Sequence, residues 1–141
     1  LMHRLLEFLP LLPEGEQKQA GLDWLTKMLP TEKPDYLNDM LSGVMQVFAD
    51  YPEFFEENSK AEVAYITENS FEGRIDRLVI NKDKVIIIDY KTDQKIPTNM
   101  PIKYKMQLQK YVKAMRKIFP QKQIQAAILW VGASVNKIDY I

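Results

Sequence analysis

Two aspartates and a lysine stand at the ends of a stretch that reads as two paired strands: Asp76 in GRIDRL, and Asp89 and Lys91 in IIIDYKT. The apolar runs Ile75–Ile80 and Val85–Ile88 are separated by the polar quartet Asn81, Lys82, Asp83 and Lys84, which predicts a β-hairpin within Gly73–Thr92. A hairpin lays the start of its first strand beside the end of its second, so Asp76 is expected next to Asp89 and Lys91. Residues two apart on a strand share a face, which turns Asp89 and Lys91 the same way. Tyr90 then turns into packing and leaves its backbone carbonyl at the site as an oxygen donor. Hard oxygen donors grouped like this suit Mg²⁺ or Mn²⁺. Taken alone, a D-x-K triplet is more often a surface ion pair at a fraying strand end.

The elements that must position these residues are visible in the rest of the chain. The apolar opening, Leu1–Leu9, reads as the end of a helix, with Leu5, Leu6 and Leu9 forming a stripe that fixes the ring of His3 against a sheet. Two helices are expected at Glu14–Leu29 and Asp35–Ala49, with Pro30 and Pro34 punctuating the gap. Ala20, Trp24, Leu25 and Met28 form the buried stripe of the first, and Leu37, Met40, Leu41, Val44, Val47 and Phe48 that of the second. Asp50–Ser59 is an irregular connection anchored by Phe54 and Phe55. Ala61–Thr67 alternates as a strand feeding the hairpin, headed by Glu62, which reads as an ordinary strand-start glutamate. Gly73 marks a bulge or a close approach before Asp76, with Arg74 on the side of Asp76 and Arg77 on the other.

After the hairpin, Asp93–Pro101 reads as a loop and Ile102–Ile118 as a helix. Tyr104, Gln107, Leu108, Tyr111, Met115 and Ile118 share one of its sides, while Lys103, Lys110, Lys113 and Lys117 lie elsewhere. Gln123–Val131 is a further apolar strand, reached by a helical connection that implies a right-handed crossover, and Ile138–Ile141 begins a last strand. The expected architecture is α/β: a mixed sheet flanked by helices, with extra helices at the N-terminal end.

Composition bounds the possibilities. The 141 residues are enough for one domain with a real core, and 19 basic residues balance 19 acidic ones. Their distribution is uneven: Lys91, Lys95, Lys103, Lys105, Lys110, Lys113, Arg116, Lys117 and Lys122 fall in a stretch whose only acid is Asp93, a pattern that can present a positive face to a polyanion. The absence of cysteine excludes disulfides and thiolate metal sites and fits a reducing cytoplasm. No apolar run is long enough to span a membrane, there is no signal-peptide pattern, and no G-x-x-x-x-G-K-[ST] phosphate loop is present. Leu1 stands where an initiator methionine is normally found, so the chain is expected to be a piece of a longer protein.

Several stretches taken together resemble the RecB-like branch of the PD-(D/E)XK nuclease superfamily: GRIDRL around Asp76, DYKT from Asp89 to Thr92, QLQKY from Gln107 to Tyr111, and His3 on the leading helix. With AILW at Ala127–Trp130, the wording is most similar to the C-terminal nuclease domain of AddA-type helicase-nuclease subunits. The resemblance implies a restriction-endonuclease-like core forming one nuclease domain over 1–141, with a helical N-terminal part (1–58) and a catalytic αβ core (59–141). It implies catalytic roles for Asp76, Asp89, Lys91, Gln107 and Tyr111. It also implies an Mg²⁺ ion, or Mn²⁺, held by His3, Asp76, Asp89 and the Tyr90 carbonyl, with Glu62 accompanying the site. The implied activity is metal-dependent exonucleolytic hydrolysis of DNA during recombinational double-strand-break repair. The implied partners are DNA, helicase domains of the same polypeptide and an AddB-like subunit, with no membrane. The rival expectation is a noncatalytic DNA-binding or scaffolding domain of the same shape. Stand-alone RecB-like nucleases with an iron–sulfur cluster are disfavoured by the lack of cysteine.

Overall fold

The computed structural model describes residues 1–66, 72–93, 95–133 and 135–141. Three helices come first: α1 (Met2–Phe8), α2 (Glu14–Met28) and α3 (Pro34–Asp50). Pro10 sits in the 3₁₀ turn Leu9–Leu11 that ends α1, and Pro34 opens α3 at a position where its missing N–H costs nothing. The strands β1 (Ser59–Ile66), β2 (Glu72–Ile80) and β3 (Lys84–Lys91) follow, then α4 (Ile102–Ile118), β4 (Gln123–Val131) and β5 (Asn136–Tyr140).

The sheet is mixed, with strands in the order β1-β2-β3-β4-β5. All neighbours are antiparallel except β3 and β4, which run parallel because α4 carries the chain back across one face. Helices cover both faces. On one side Leu5, Leu6 and Leu9 of the N-terminal segment and Leu37, Leu41, Val44 and Val47 of α3 pack against Val79, Ile86, Ile88 and Tyr90. On the other, Leu108, Tyr111 and Met115 of α4 pack against Val85, Ile87, Ile128 and Trp130. Coverage on both faces explains why Val85–Ile88 is an unbroken apolar run rather than an alternating one. At Gly43, α3 passes so close to the Gly132 carbonyl that a Cβ would collide with backbone.

The fold is the expected α/β arrangement, with several local differences. The helical period puts Met28 and Ile118 on buried stripes, yet they are 51% and 59% exposed. Each lies in the last turn of its helix, where the period continues but the surface it packs on has ended. β1 begins at Ser59 rather than Ala61, so Glu62 lies inside the strand instead of heading it, and Thr67 is outside the described residues. The last strand starts at Asn136, earlier than expected, and Gln94 of the Asp93–Pro101 loop also lies outside the described residues. The connection from Asp50 to Ser59 contains a 3₁₀ turn, Pro52–Phe54, pinned by the buried ring of Phe54.

Both ladders flanking β2 break at the same point. The β1–β2 register passes from Ala61↔Arg77 to Val63↔Ile75, skipping Glu62 and Asp76, and Glu62 has φ of 52°. That left-handed conformation is uncommon for a residue with a side chain and marks a local irregularity in the strand. The β2–β3 ladder stops at Arg77↔Ile88, one step before Asp76 would stand opposite Asp89. Asp76 is thereby released from regular pairing at the open end of the hairpin, and its side chain meets the backbone of β3.

Candidate active site

Four elements converge at that open end. β3 supplies Asp89 and Lys91 on the α4 side, while Tyr90 turns its ring to the opposite, α1–α3 side. Lys91 Nζ lies 3.0 Å from Asp89 Oδ2, but this buried oxygen accepts no well-directed hydrogen bond from the described residues. The ammonium also donates to Gln107 Oε1 at 3.4 Å and stands 4.4 Å from the centre of the Tyr104 ring. Gln107 Nε2 donates in turn to the Tyr111 hydroxyl at 2.9 Å. α4 therefore holds Lys91 through a relay of one helical turn, Gln107 to Tyr111.

β2 and α1 form the other half. The Tyr90 N–H donates to Asp76 Oδ2 at 2.8 Å, beyond the end of the ladder. His3 Nε2 donates to the Tyr90 carbonyl oxygen at 3.0 Å and lies 3.3 Å from the same Asp76 oxygen. The rings of His3 and Tyr90 meet edge to face at 5.9 Å.

The acids feel one another. Burial, then the neighbouring Asp76 charge, pushes the Asp89 carboxyl up to about 6, with Lys91 and His3 opposing. Burial and Asp76 likewise raise the Glu62 carboxyl, which also senses Glu7, His3 and Arg74. His3 is raised by its hydrogen bond to Asp76, against the effect of its own burial.

Of the residues singled out from sequence, the structure brings Lys91, Asp89, Gln107 and Tyr111 into one contact chain and His3, Asp76 and the Tyr90 carbonyl into another. Among the described residues, however, no three His, Asp or Glu side chains stand together as a finished metal cage. Asp89 turns to Lys91 and Asp76 to the Tyr90 amide, so the expected three-side-chain ligand set is drawn in as two adjoining groups. Arg74 is exposed, whereas Arg77, which the strand pattern marks only as a flank, is buried. The helical period marks Tyr104 simply as stripe, but its hydroxyl donates to Asp93 at 3.2 Å and its ring faces Lys91. A signal for that role is present in the sequence: Tyr104 stands three residues before Gln107 on the same helix side.

The donor set nevertheless fits a small divalent cation. Adjacent ligand atoms of an octahedron with bonds of about 2.1 Å stand about 3 Å apart. His3 Nε2 has the Tyr90 oxygen at 3.0 Å and Asp76 Oδ2 at 3.3 Å, and Asp89 offers a buried oxygen that accepts no hydrogen bond from the described residues. A nitrogen, carboxylates and a carbonyl are donors that Mg²⁺ and Mn²⁺ accept.

Fold and site together define a class: α/β proteins that gather two acids and a lysine at the open end of a β-hairpin within a mixed sheet. The family model of the PD-(D/E)XK nuclease superfamily matches residues 1–138, and the chain belongs to that superfamily. A stretch of 61 residues is 34% identical to an ATP-dependent helicase/nuclease subunit of Streptococcus uberis, covering 43% of this chain and 5% of that protein. The chain thus covers only a small part of that relative's length. Among solved structures, SSO0001 is similar at a TM-score of 0.46 with 16% identity, over 99% of this chain and 65% of the other. Members of the superfamily are usually nucleases that use divalent metals. Among the described residues, no helix is long and apolar enough to cross a membrane.

Proposed function

We propose that the chain is the nuclease domain of an AddA-type helicase-nuclease, cleaving DNA phosphodiester bonds from an end with the help of Mg²⁺. The observation that carries this reading is the Lys91–Asp89 pair at 3.0 Å, set beside the grouping of His3, Asp76 and the Tyr90 carbonyl. His3, Asp76, Asp89 and the Tyr90 carbonyl would hold the ion, and Mn²⁺ would serve in its place. A divalent ion there supplies Lewis acidity, lowering the pKa of water and offsetting phosphate charge.

The chain's own groups do the rest. Lys91 orients the attacking water and stabilises the negative charge that builds on the phosphoryl oxygens, a task suited to a compact ammonium. Gln107 fixes the ammonium through its Oε1, and Tyr111 fixes the amide of Gln107. Glu62 adds negative charge near Asp76 and favours a cation between them. Lys103, Lys105, Lys113 and Arg116 are exposed on α4 and supply phosphate contacts that carry no sequence information. Lys122, also in the basic stretch, instead donates to the Asn81 carbonyl at 2.8 Å and closes the hairpin turn. Among the described residues, no element reaches out to read base edges, which suits an end-processing enzyme more than a site-specific one. In this reading the intact protein carries helicase domains on the same polypeptide, joins an AddB-like subunit, and acts in the cytoplasm in recombinational double-strand-break repair.

The direct test is cleavage of end-labelled linear DNA with Mg²⁺, with Mn²⁺ and with chelator. Products accumulating from the ends with either metal and none with chelator are expected. DNA affinity should fall at least tenfold between about 50 and 200 mM salt, on the order expected when a few phosphate contacts release counterions. Metal-independent binding with no cleavage under any condition, by the isolated chain and by the full helicase-nuclease, would instead identify a scaffolding domain.

The relay on α4 gives a graded expectation. Gln107→Ala removes the hydrogen bond to Lys91 and should slow cleavage roughly fivefold to tenfold, on the order of 1 kcal/mol for one such contact. Tyr111→Phe removes only the far end of the relay and should cost less. Single-turnover rates at saturating DNA check the order, and a larger loss for Tyr111→Phe would exclude the relay.

A further inference from the structure

One buried charge has no place in the reaction above. Arg77 is 4% exposed and lies on the α1–α3 side of the sheet, facing away from Asp89 and Lys91. Its Nη2 donates to the Leu6 carbonyl at 2.8 Å, its Nη1 to Ser59 Oγ at 3.1 Å and its Nε to the Tyr90 hydroxyl at 3.4 Å. The guanidinium carbon stands 4.8 Å from the centre of the Phe55 ring. All four partners are neutral, since burial holds the Tyr90 phenol at about 12. Burying a cation among neutral acceptors is unfavourable, and an apolar side chain in the same place would avoid the penalty. What the arginine offers in return is a rigid fork that reaches three elements at once.

The sequence shows why α1 needs that fork. In a helix the Leu6 carbonyl would accept from the N–H four residues on, but that residue is Pro10, which has none. The Leu9 N–H is engaged by the Leu5 carbonyl. Arg77 supplies the donor that proline withholds, at the end of a seven-residue helix too short to be stable by itself. His3 lies one turn before Leu6 on that helix. Tyr90 joins the two ends of the assembly: its hydroxyl accepts from Arg77 and its carbonyl accepts from His3.

We propose that Arg77 is the positioning residue for His3: by clamping α1 to β1 and β3 through Leu6, Ser59 and Tyr90, it sets whether the imidazole reaches the Tyr90 carbonyl and Asp76. The consequence for metal binding rests on the reading of His3 as a ligand; the consequence for the ring's position does not.

His3 is the only histidine, so its imidazole signals in ¹H–¹⁵N spectra are unambiguous. In the metal-free chain, Arg77→Lys, which keeps the charge but cannot span three acceptors, should move those signals toward the values of a free, solvated imidazole. Mn²⁺ affinity should fall by about tenfold to a hundredfold, the usual cost of losing a group that orients a ligand. His3→Ala should lose a comparable factor, and adding Arg77→Lys to His3→Ala should cost less than a further twofold. Unmoved His3 signals in a folded Arg77→Lys chain overturn the proposal, as do losses that simply multiply in the double variant. If His3→Ala leaves Mn²⁺ affinity unchanged, the ligand reading fails, and the metal-free spectrum still decides the positioning. Should Arg77→Lys not fold, Ser59→Ala combined with Tyr90→Phe removes two of the three acceptors and is read by the same shift, with unmoved signals again overturning it.

Discussion

Asp89→Asn should melt several degrees higher than the unaltered chain in metal-free buffer at pH 7, while losing cleavage by at least a thousandfold. The first half follows from burial. Asp89 is 3% exposed, its Oδ2 accepts no hydrogen bond from the described residues, and burial together with Asp76 raises its carboxyl from 3.8 to about 6. Below about pH 4 the folded and unfolded chains both hold the proton, and the group costs nothing. Between about pH 4 and pH 6 the unfolded chain has released a proton that the folded chain retains, so stability falls as pH rises. Above pH 6 the folded chain carries the full penalty of a buried carboxylate, on the order of 2–3 kcal/mol. The neutral amide of asparagine escapes it. Lys91 is already counted in that figure, since it lowers the carboxyl against burial, and the amide's own buried N–H groups take back part of the gain, which leaves about 1–2 kcal/mol, or roughly 3–7 °C.

The control is pH itself. The melting difference between Asp89→Asn and the unaltered chain should shrink as the buffer is taken from pH 7 toward pH 4, and a difference independent of pH would show that packing, not charge, is its source. Mg²⁺ should raise the melting temperature of the unaltered chain and not that of Asp89→Asn. A residue that destabilises the fold when no ion is bound, and is needed for the reaction, is the signature of a site shaped for a ligand rather than for stability.

Much of this arrangement is legible in the sequence because it depends on short-range periods. Two-residue spacing puts Asp89 and Lys91 on one face, and the polar quartet after Ile80 folds Asp76 back beside them. Three- and four-residue spacing puts Gln107 and Tyr111 in line under Lys91. The rest depends on geometry that no local period encodes. The positive φ of Glu62, which loosens β1 opposite Asp76, occurs at a residue type with no propensity for it. The need of the Leu6 carbonyl is written in Pro10, but its answer comes from Arg77, far away in the chain. Even the two halves of the proposed ligand set, which the hairpin predicts as one cluster, separate because each acid finds a partner of its own in β3.

Lys91→Ala is the substitution that separates an enzyme from a scaffold. Its Nζ touches the Asp89 carboxylate at 3.0 Å, the Gln107 oxygen at 3.4 Å and the face of the Tyr104 ring at 4.4 Å, and Lys91 itself lies outside both apolar clusters of the core. If Lys91 stabilises charge that develops only during phosphodiester cleavage, its removal should lower the maximal rate about a hundredfold, near 3 kcal/mol, with little change in the DNA concentration at half-maximal rate. Lys91→Arg should not restore the rate, because a planar guanidinium cannot occupy the compact position between Asp89, Gln107 and the Tyr104 ring. DNA binding without metal should remain within about twofold, since the proposed phosphate contacts are the exposed basic residues of α4. Rates for Lys91→Ala equal to those of the unaltered chain, or an equal absence of cleavage in both alongside intact binding, would remove the catalytic role and leave a domain that only holds DNA.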